Sequence, residues 1–353
     1  MSKEKTENKN ERTEVKEYGE FGLIDHLTGT FSLEQKSTIR GVGDDAAIID
    51  YKDNLTLVST DLLVEGVHFD LMYTPLAHLG YKAVIVNLSD IYAMNAMPRQ
   101  ITVSIAISNR ISVEALNEFY TGIKFACERY GVDLVGGDTT TAVQGFTISV
   151  TAIGEAKKDQ PVYRNGAKPG DMICVSGDLG AAYMGLQLLE REKQVFLEAP
   201  EAKPDLEGQD LIVGRFLKPE ARKDIIEMFS EFNCKPSAMM DISDGLSSEL
   251  HHISKQSEIG VKIFEDKLPI ADETSVMALK FNIDPMVCAL NGGEDYELLC
   301  IIPPEEYKKL PEENGLTIIG EILEEGEGIN IITRSGKSHE VLAQGWNSFN
   351  LDS

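Results

Sequence analysis

Residues 81–94 read YKAVIVNLSDIYAM, an almost uninterrupted apolar stretch that carries one carboxylate, Asp90. The longer segment 74–94 has helical spacing, with Thr74 as a candidate N-cap and Pro75 at the first helical position. On that helix Asp90 shares a face with Ala83 and Val86, so we expect it to point towards the core. No lysine or arginine lies three or four residues away. Such a carboxylate is hydrogen-bonded to backbone, paired with a distant arginine, protonated or bound to a cation.

The composition bounds the class of protein. The chain has 353 residues, of which 42% are apolar and 26% charged, as in a soluble globular protein with room for two domains. No apolar run approaches the roughly 20 residues of a membrane helix, and the N-terminus lacks the apolar block of a signal peptide. Five widely spaced cysteines without a CxxC pair indicate a reduced, cytoplasmic protein. The formal charge of −25 disfavours nucleic acid and membranes as partners.

Strands and helices alternate along the chain in two blocks. The first block has strand-like segments at 46–50, 55–60, 100–108 and 146–156, and helices at 74–94 and 112–131. Ser112 and Gly131 are suited to cap the second helix. After a polar, Pro- and Gly-rich break at 157–171 comes another series of strands and helices. We therefore predict an α/β or α+β protein with a disordered tail at 1–17, an N-terminal domain at 18–155 and a C-terminal α/β domain at 156–353.

Further acidic residues recur at strand ends and glycine turns: Asp44 and Asp45 in GVGDD, Asp61 in STD, Asp138 in GGD, and Asp241 and Asp244 in DISDG. Side chains at such places often reach a ligand cleft, although Asp244 alone would suit the cap of the following helix. Oxygen ligands without a His or Cys cluster favour Mg²⁺ or Ca²⁺, and the lack of EF-hand spacing favours Mg²⁺. Because Mg²⁺ completes its shell with phosphates, we expect this acidic protein to hold a nucleoside triphosphate.

Familiar nucleotide motifs do not fit. GVGDDA (41–46) matches the dinucleotide fingerprint in form but leads into a strand and carries two carboxylates, and SGKS (335–338) has Ile331 where a Walker loop needs glycine. The segment NGGEDYELLC (291–300) has two interpretations. It is either a tight turn with solvated acids, or a backbone that lets Glu294 approach a ligand, which would then be cationic.

These segments, in this order, resemble the thiamine-monophosphate kinase family. The matching pieces are GVGDDAA, STDLLVEGVHF, YKAVIVNLSDIYAM, VGGDTT, RNGAKPGD, DISDGLSSEL and GGEDYEL, between Gly19 and Trp346. The resemblance implies the two-domain aminoimidazole-ribonucleotide synthetase-like fold. It also implies a homodimer in which the N-terminal sheets pack together, ATP in a cleft between the domains, and conversion of ATP and thiamine monophosphate to ADP and thiamine diphosphate.

The resemblance assigns roles to individual residues. The magnesium ligands it implies are Asp45, Ser59, Thr60, Asp61, Asp90, Asp138, Asp241 and Asp244. The nucleotide contacts it implies are Tyr120, Gly137, Asp138, Arg164 and Ser243, and the substrate contacts are His68, Glu294 and Trp346. No covalent nucleophile is expected, since in-line phosphoryl transfer depends on positioning and charge neutralisation.

Two alternatives remain open at this point. The first is another ATP-dependent synthetase of the same superfamily. Selenophosphate synthetases carry a reactive cysteine near the N-terminus, whereas the first cysteine here is Cys127. The second is a non-catalytic sensor of magnesium and nucleotide, which would have no use for the substrate contacts Glu294 and His68.

Overall fold

The structure is a computed structural model that describes Thr13, residues 26–40 and residues 48–342. Its strands are β1 Thr38–Arg40, β2 Ile48–Ile49, β3 Leu55–Val64, β4 Met97–Ile107, β5 Asp133–Thr141, β6 Phe146–Ala156, β7 Met172–Ser176, β8 Ala238–Ile242, β9 Gly260–Phe264, β10 Glu297–Ile302, β11 Leu316–Leu323, β12 Ile329–Ile332 and β13 Ser338–Glu340. Its helices are α1 Leu76–Ala93, α2 Val113–Tyr130, α3 Ala181–Glu198, α4 Asp210–Leu217, α5 Lys223–Glu231, α6 Leu246–Ser257, α7 Asp272–Lys280, α8 Pro285–Asn291 and α9 Pro304–Tyr307.

The N-terminal sheet has the strand order β3-β6-β4-β5. Strands β3 and β4 pair antiparallel with β6, and β5 runs parallel to β4. Alternate residues of β6 are buried, as expected when one face of a sheet is covered. Helices α1 and α2 pack together, and α1 lies against β3, β4 and β6, so this face is the inner face. The opposite, outer face carries exposed apolar side chains, including Val58 and Leu62.

The two long helices of this block differ in how they begin. Helix α2 is capped as predicted: the Ser112 hydroxyl accepts a hydrogen bond from Ala115 N, and Gly131 ends the helix with φ 68°. The predicted Thr74 cap of α1 is wrong. Pro75 itself occupies the N-cap position in an extended conformation, and no side chain caps this end. Because proline lacks an N–H and its φ is fixed, it can begin the helix without a side-chain cap.

The second sheet is built from residues 172–340 in the order β13-β12-β9-β11-β7-β10-β8. Neighbouring strands are antiparallel except β9 and β12, which run parallel. Every residue of the edge strand β8 and of its neighbour β10 is buried, so both faces of the sheet are covered there. The chain leaves the first sheet at Ala156, the end of β6, and enters the second at Met172, which is where the sequence predicts a break. In the described ranges, no helix is long and apolar enough to cross a membrane.

Helices α1 and α2 approach closely because each has a glycine at the crossing. A β-carbon on Gly80 would overlap the carbonyl oxygen of Phe119, and one on Gly122 would overlap that of Ala77. Close approach of two backbones is a common reason for glycine inside a helix. This crossing holds α1 in place beneath the functional site described below.

We expect Gly80→Ala to lower the free energy of unfolding by about 2 kcal/mol, because the added methyl group must push the two helices apart. The matched control is Gly214→Ala in α4, where a β-carbon meets nothing within 4 Å. There the better helix propensity of alanine should raise stability by up to about 1 kcal/mol. Urea denaturation measures both. Equal effects of the two substitutions would contradict the proposed close crossing.

Candidate functional site

Helix α1 carries buried polar residues that each bind a different segment of the chain. Lys82, Asn87 and Ser89 are almost completely buried. Asn87 donates to Ala83 O within its own helix (3.0 Å) and accepts from the backbone N–H of Asp61 at the same distance. The Asn87 amide therefore fixes strand β3 to the helix at the position of a predicted metal ligand.

Asp90 is held by the hydroxyl of Ser59, which donates to its Oδ2 atom. Burial raises the pKa of Asp90, while Ser59 and Arg164 act in the opposite direction. The partners of this carboxylate are therefore a hydroxyl from β3 and a distant arginine, not the neighbouring backbone. Two residues that the sequence assigns to the metal, Ser59 and Asp90, are in direct contact.

Asp241 and Asp61 lie close enough to Asp90 for its charge to raise their pKa values. Asp241, at the buried end of β8, accepts a 2.7 Å hydrogen bond from Ser89 Oγ. Burial, followed by the charge of Asp90, raises the pKa of Asp241 to about 7. Burial and Asp90 also raise the pKa of Asp61 to about 6. We call Asp61, Asp90 and Asp241 the acidic cluster. Within the described residues none of its members forms an ion pair, although the charge of Arg164 acts on the pKa of Asp90.

The acidic cluster offers the donor atoms of a magnesium site but does not supply a complete set of ligands. It offers oxygen donors only, which suits Mg²⁺. In the described part of the chain, no three His, Cys, Asp or Glu side chains converge tightly enough to hold a metal ion by themselves. Magnesium, however, is usually bound by one or two carboxylates and completed by water and phosphate. The donor atoms of the cluster therefore suit metal ions that arrive with a phosphorylated ligand.

Asp244 does not have the capping role that its sequence position suggests. The N-cap of α6 is Gly245, and no side chain caps the helix. Instead Glu249 folds back from α6 and accepts hydrogen bonds from the backbone N–H groups of Ser243 (3.1 Å) and Asp244 (2.9 Å). The Asp244 carboxylate is thus left for another partner. Burial raises its pKa, and Arg164 and His252 counteract this effect.

Arg164 lies in the segment between β6 and β7, and its carbonyl accepts a 3.4 Å hydrogen bond from Ser257. Its charge acts on the pKa of both Asp90 and Asp244. The guanidinium group is therefore near the cluster and exposed to solvent, which suits an anionic ligand.

Thr60, Gly137 and Asp138 lie on strands β3 and β5 of the N-terminal sheet, where Gly137 pairs with Val103. In the register of the sheet Asp138 aligns with Ser104, Ser149 and Leu62, so its side chain lies on the exposed outer face. Thr60 lies on the same face, where its hydroxyl donates to Val150 O. The structure therefore brings Ser59, Asp61, Asp90 and Asp241 together but does not bring Thr60 or Asp138 to them within one chain.

Tyr120 is buried in the core. Its ring packs edge-on against Phe31 and Phe119, and burial raises the pKa of its hydroxyl to about 12. These contacts explain the position of the ring, and no contact with a nucleotide is needed to explain it. The remaining predicted site residues, Asp45 with its neighbour Asp44 and Trp346, lie outside the described residues.

His68 and Glu294 lie near each other and near Lys82. Lys82 Nζ donates to Glu294 Oε2 at 2.6 Å. His68 Nδ1 accepts a hydrogen bond from the backbone N–H of Val64 (3.1 Å), and burial lowers the His68 pKa while Glu294 acts to raise it. A neutral ring with an occupied Nδ1 carries its proton on Nε2, so His68 is a hydrogen-bond donor.

The two acids that follow Glu294 are not solvated, and that interpretation of the turn is wrong. Asp295 is buried and accepts a 2.8 Å hydrogen bond from Gly180 N at the start of α3. Glu297 is buried between Arg215 (2.8 Å) and Arg222 (2.5 Å). Both acids therefore join β10 to the surrounding helices, which leaves Glu294 as the partly exposed carboxylate of the three.

Sequence reasoning missed four residues that build this site: Lys82, Asn87, Ser89 and Glu249. The first three could have been found from their presence in an otherwise apolar helix, because a buried polar side chain must have a hydrogen-bond partner. Glu249 follows the DISDG turn by one helical turn, which is the spacing at which an acidic side chain can reach back to free N–H groups.

The fold and the site define a class, the AIR synthase related proteins. The model of their N-terminal domain matches residues 43–156, and that of their C-terminal domain matches residues 168–332. The chain is 37% identical to the thiamine-monophosphate kinase of Aquifex aeolicus, over 95% of this chain and 99% of the relative. It is 34% identical to that of Bacillus subtilis, over 94% and 99%.

A solved structure of AaThiL complexed with AMPPCP and TMP superimposes with a TM-score of 0.72 at 35% identity, covering 96% of this chain and all of that chain. Within its class, the chain belongs to the thiamine-monophosphate kinase family. The family resemblance and the two-domain fold predicted from the sequence are confirmed.

The acidic cluster should make the metal-free protein less stable as pH rises. Its raised pKa values mean that the folded protein binds these protons more tightly than the unfolded chain does. The resulting stabilisation is therefore present below about pH 4 and lost by about pH 7. In EDTA at pH 8 we expect Asp90→Asn to raise the free energy of unfolding by about 1 kcal/mol, because it removes the shared repulsion.

At pH 4 the difference between Asp90→Asn and wild type should disappear, as measured by urea denaturation at both pH values. The exposed Glu325→Gln controls for the change in net charge and should have little effect. A loss of stability from Asp90→Asn that is equal at the two pH values would show that the three carboxylates do not repel each other.

Proposed function

We propose that this protein transfers the terminal phosphoryl group of ATP to thiamine monophosphate, giving ADP and thiamine diphosphate, with magnesium ions at the acidic cluster. The proposal is supported by relatives of nearly equal length that carry the name of this kinase and by a similar structure that holds an ATP analogue together with TMP. One observation of the chain itself carries it. Asp61, Asp90 and Asp241 form a group of partly or fully buried carboxylates whose pKa values are raised by burial and, for Asp61 and Asp241, by the charge of Asp90.

The residues that would hold the metal are the members of the acidic cluster, with the Ser59 hydroxyl beside them and Asp244 on the adjoining turn. Asp45 would complete this set. Magnesium, when bound, neutralises the phosphate charges that an acidic protein would otherwise repel. Because the cluster spans β3, α1 and β8, it joins the predicted domains 18–155 and 156–353 at the place where the nucleotide would lie.

Arg164, Ser243 and the backbone around Asp244 would bind the nucleotide phosphates. Arg164 is exposed and near two carboxylates, so its guanidinium can reach an anion while these carboxylates hold the metal. Glu249 fixes the Ser243–Asp244 turn through two backbone hydrogen bonds, which reduces the conformational cost of binding there.

His68 and Glu294 would bind thiamine monophosphate. The neutral His68 ring donates from Nε2, which suits a phosphate oxygen. The partly exposed Glu294 carboxylate would face the cationic thiazolium ring, with Trp346 as a further aromatic contact. The two groups thus match the two ends of the substrate.

Transfer would be direct and in line. The acceptor is a phosphate oxygen of thiamine monophosphate, which is already ionised at neutral pH, so no strong general base is required. The described cysteines are buried, and burial raises the pKa of the Cys127 and Cys300 thiols. They are therefore unsuited to be nucleophiles. The work of the chain is to orient the reactants and exclude water.

We also propose a cytoplasmic homodimer that forms through the outer face of the N-terminal sheet. On this face Val58 is 66% exposed and Leu62 is 54% exposed, and both belong to strand β3. Pairing through this face would bury the apolar residues and would place Thr60 and Asp138 at the interface between two copies. Their predicted contribution to metal and nucleotide binding would then be made across the dimer.

We expect thiamine diphosphate to form when the protein is incubated with ATP, Mg²⁺ and thiamine monophosphate, and to be absent when magnesium is omitted or free thiamine replaces the monophosphate. Chromatography of the thiamine species measures it. Binding of Mg–ATP without product would favour a sensor, and turnover with a different acceptor would favour a related synthetase.

In the same assay Asp90→Asn should lose roughly 100-fold or more of turnover while remaining folded, because a neutral amide binds Mg²⁺ poorly. The matched control is Asp171→Asn, a buried aspartate that binds Ser237 Oγ (2.6 Å) outside the cluster. It should keep turnover near that of the wild type at temperatures where it is folded. Near-normal activity of Asp90→Asn would remove this residue from the metal site.

A further prediction tests the dimer. Leu62→Glu should convert a dimer to a monomer, because a buried unpaired carboxylate at the interface is costly. Leu279→Glu is the control, since Leu279 is 65% exposed on α7, away from the N-terminal sheet. Light scattering after gel filtration gives the masses. A wild-type monomer, or a dimer that survives Leu62→Glu, would contradict the proposed interface.

A further inference from the structure

Lys82 is an almost completely buried cation of the site, and its amine contacts two protein acceptors and an aromatic ring. Its side chain is 2% exposed. Nζ donates to Glu294 Oε2 (2.6 Å) and to the carbonyl oxygen of Phe216 (3.0 Å), and it lies 4.0 Å from the centre of the Phe216 ring. Lys82 belongs to α1 of the first block, whereas both partners belong to the second. The amine therefore cannot contact a substrate itself but can fix what does.

Glu294 is held from two directions. Its backbone has φ +66°, an unfavourable conformation for a residue with a side chain, and its N–H donates to Ser243 O at 2.7 Å. Its side chain remains 27% exposed although Lys82 binds Oε2. A carboxylate that keeps one oxygen on a buried cation and is still partly open presents its other oxygen, Oε1, in a defined direction.

We infer that Lys82 is a positioning residue for substrate binding: it orients the Glu294 carboxylate so that Oε1 faces the cationic ring of the phosphorylated substrate. This inference rests on the proposed function and concerns a residue to which that function assigns no role. Without Lys82, the Glu294 side chain would sample several rotamers. Substrate binding would then be weakened by the entropic cost of fixing the Glu294 side chain.

The position of Lys82 on α1 gives the contact a second consequence. Asp90 lies eight residues further along the same helix, about 12 Å away at 1.5 Å per residue. A single rigid element therefore carries both the carboxylate of the metal half of the site and the amine that orients Glu294 in the substrate half. An ion pair that only joined the two domains would not require its carboxylate, Glu294, to be partly exposed in the binding region.

The test compares Lys82→Met, Glu294→Gln and the double variant with wild type. If Lys82 acts through Glu294, Lys82→Met should raise KM for thiamine monophosphate roughly tenfold, while KM for ATP stays within about twofold and kcat within about threefold. The double variant should be no worse than the Glu294→Gln variant, because both changes remove the same interaction. A merely structural role would lower the unfolding temperature without this selective effect on one KM.

The matched control is Lys193→Met. Lys193 also forms an ion pair between the two blocks, with Asp70 at 2.8 Å, but it does not contact Glu294. It should change neither KM. If Lys82→Met does not fold, Lys82→Gln is measured instead, because its amide can still donate a hydrogen bond to the carbonyl oxygen of Phe216 but carries no charge for Glu294. It removes the buried charge and should show the same rise in KM for the monophosphate alone.

Several results would overturn the inference. An unchanged KM for the monophosphate, an equal rise in both KM values, or additive losses in the double variant would each do so. These outcomes differ from failure of the proposed function, which would appear as a wild-type protein that makes no thiamine diphosphate in the same assay.

Discussion

The structure depends on one helix, α1, four of whose polar side chains each hold a different part of the site. Along α1, Asn87 fixes the backbone of Asp61, Ser89 binds Asp241, Asp90 accepts from Ser59, and Lys82 binds Glu294. A buried polar group without a partner costs 1–3 kcal/mol as an order of magnitude, roughly the size of the whole effect of a typical substitution. Each contact therefore stabilises the packing of α1, which brings β3, β8 and the Glu294 turn together.

The acidic cluster works against stability and for function. Two of its carboxylates, Asp61 and Asp241, have pKa values raised to about 6 and 7. Ionisation of these groups near neutral pH therefore lowers the stability of the folded chain. In the proposed function, a divalent cation that arrives with phosphate groups would remove this cost, so that folding, metal binding and nucleotide binding would form one linked equilibrium. By contrast, the buried Glu297 has two arginine partners, and no cation is needed there. This contrast with Glu297 distinguishes the acidic cluster as the candidate metal site.

The sequence predicts those parts of the fold that depend on local rules. The caps Ser112 and Gly131 and the inward direction of Asp90 follow from helical spacing, and the structure has all three. Thr74 fails as a cap because the following proline already starts the helix. The partners of Lys82 and Glu249 were missed for different reasons: Glu294 is 212 positions from Lys82, and the reach of Glu249 depends on a turn whose path the sequence does not specify. The outer position of Asp138 follows from strand alternation only once the register of β5 is known.

The central claim is that the acidic cluster holds the metal of a thiamine-monophosphate kinase. The most direct test is the anomalous difference density of Mn²⁺ in crystals grown with a non-hydrolysable ATP analogue and thiamine monophosphate. We predict manganese peaks bound by carboxylate oxygens of Asp61, Asp90 or Asp241 and bridged to the nucleotide phosphates, at oxygen distances of about 2.0–2.3 Å. Nucleotide density without manganese at these three residues, or manganese bound elsewhere, would contradict the account.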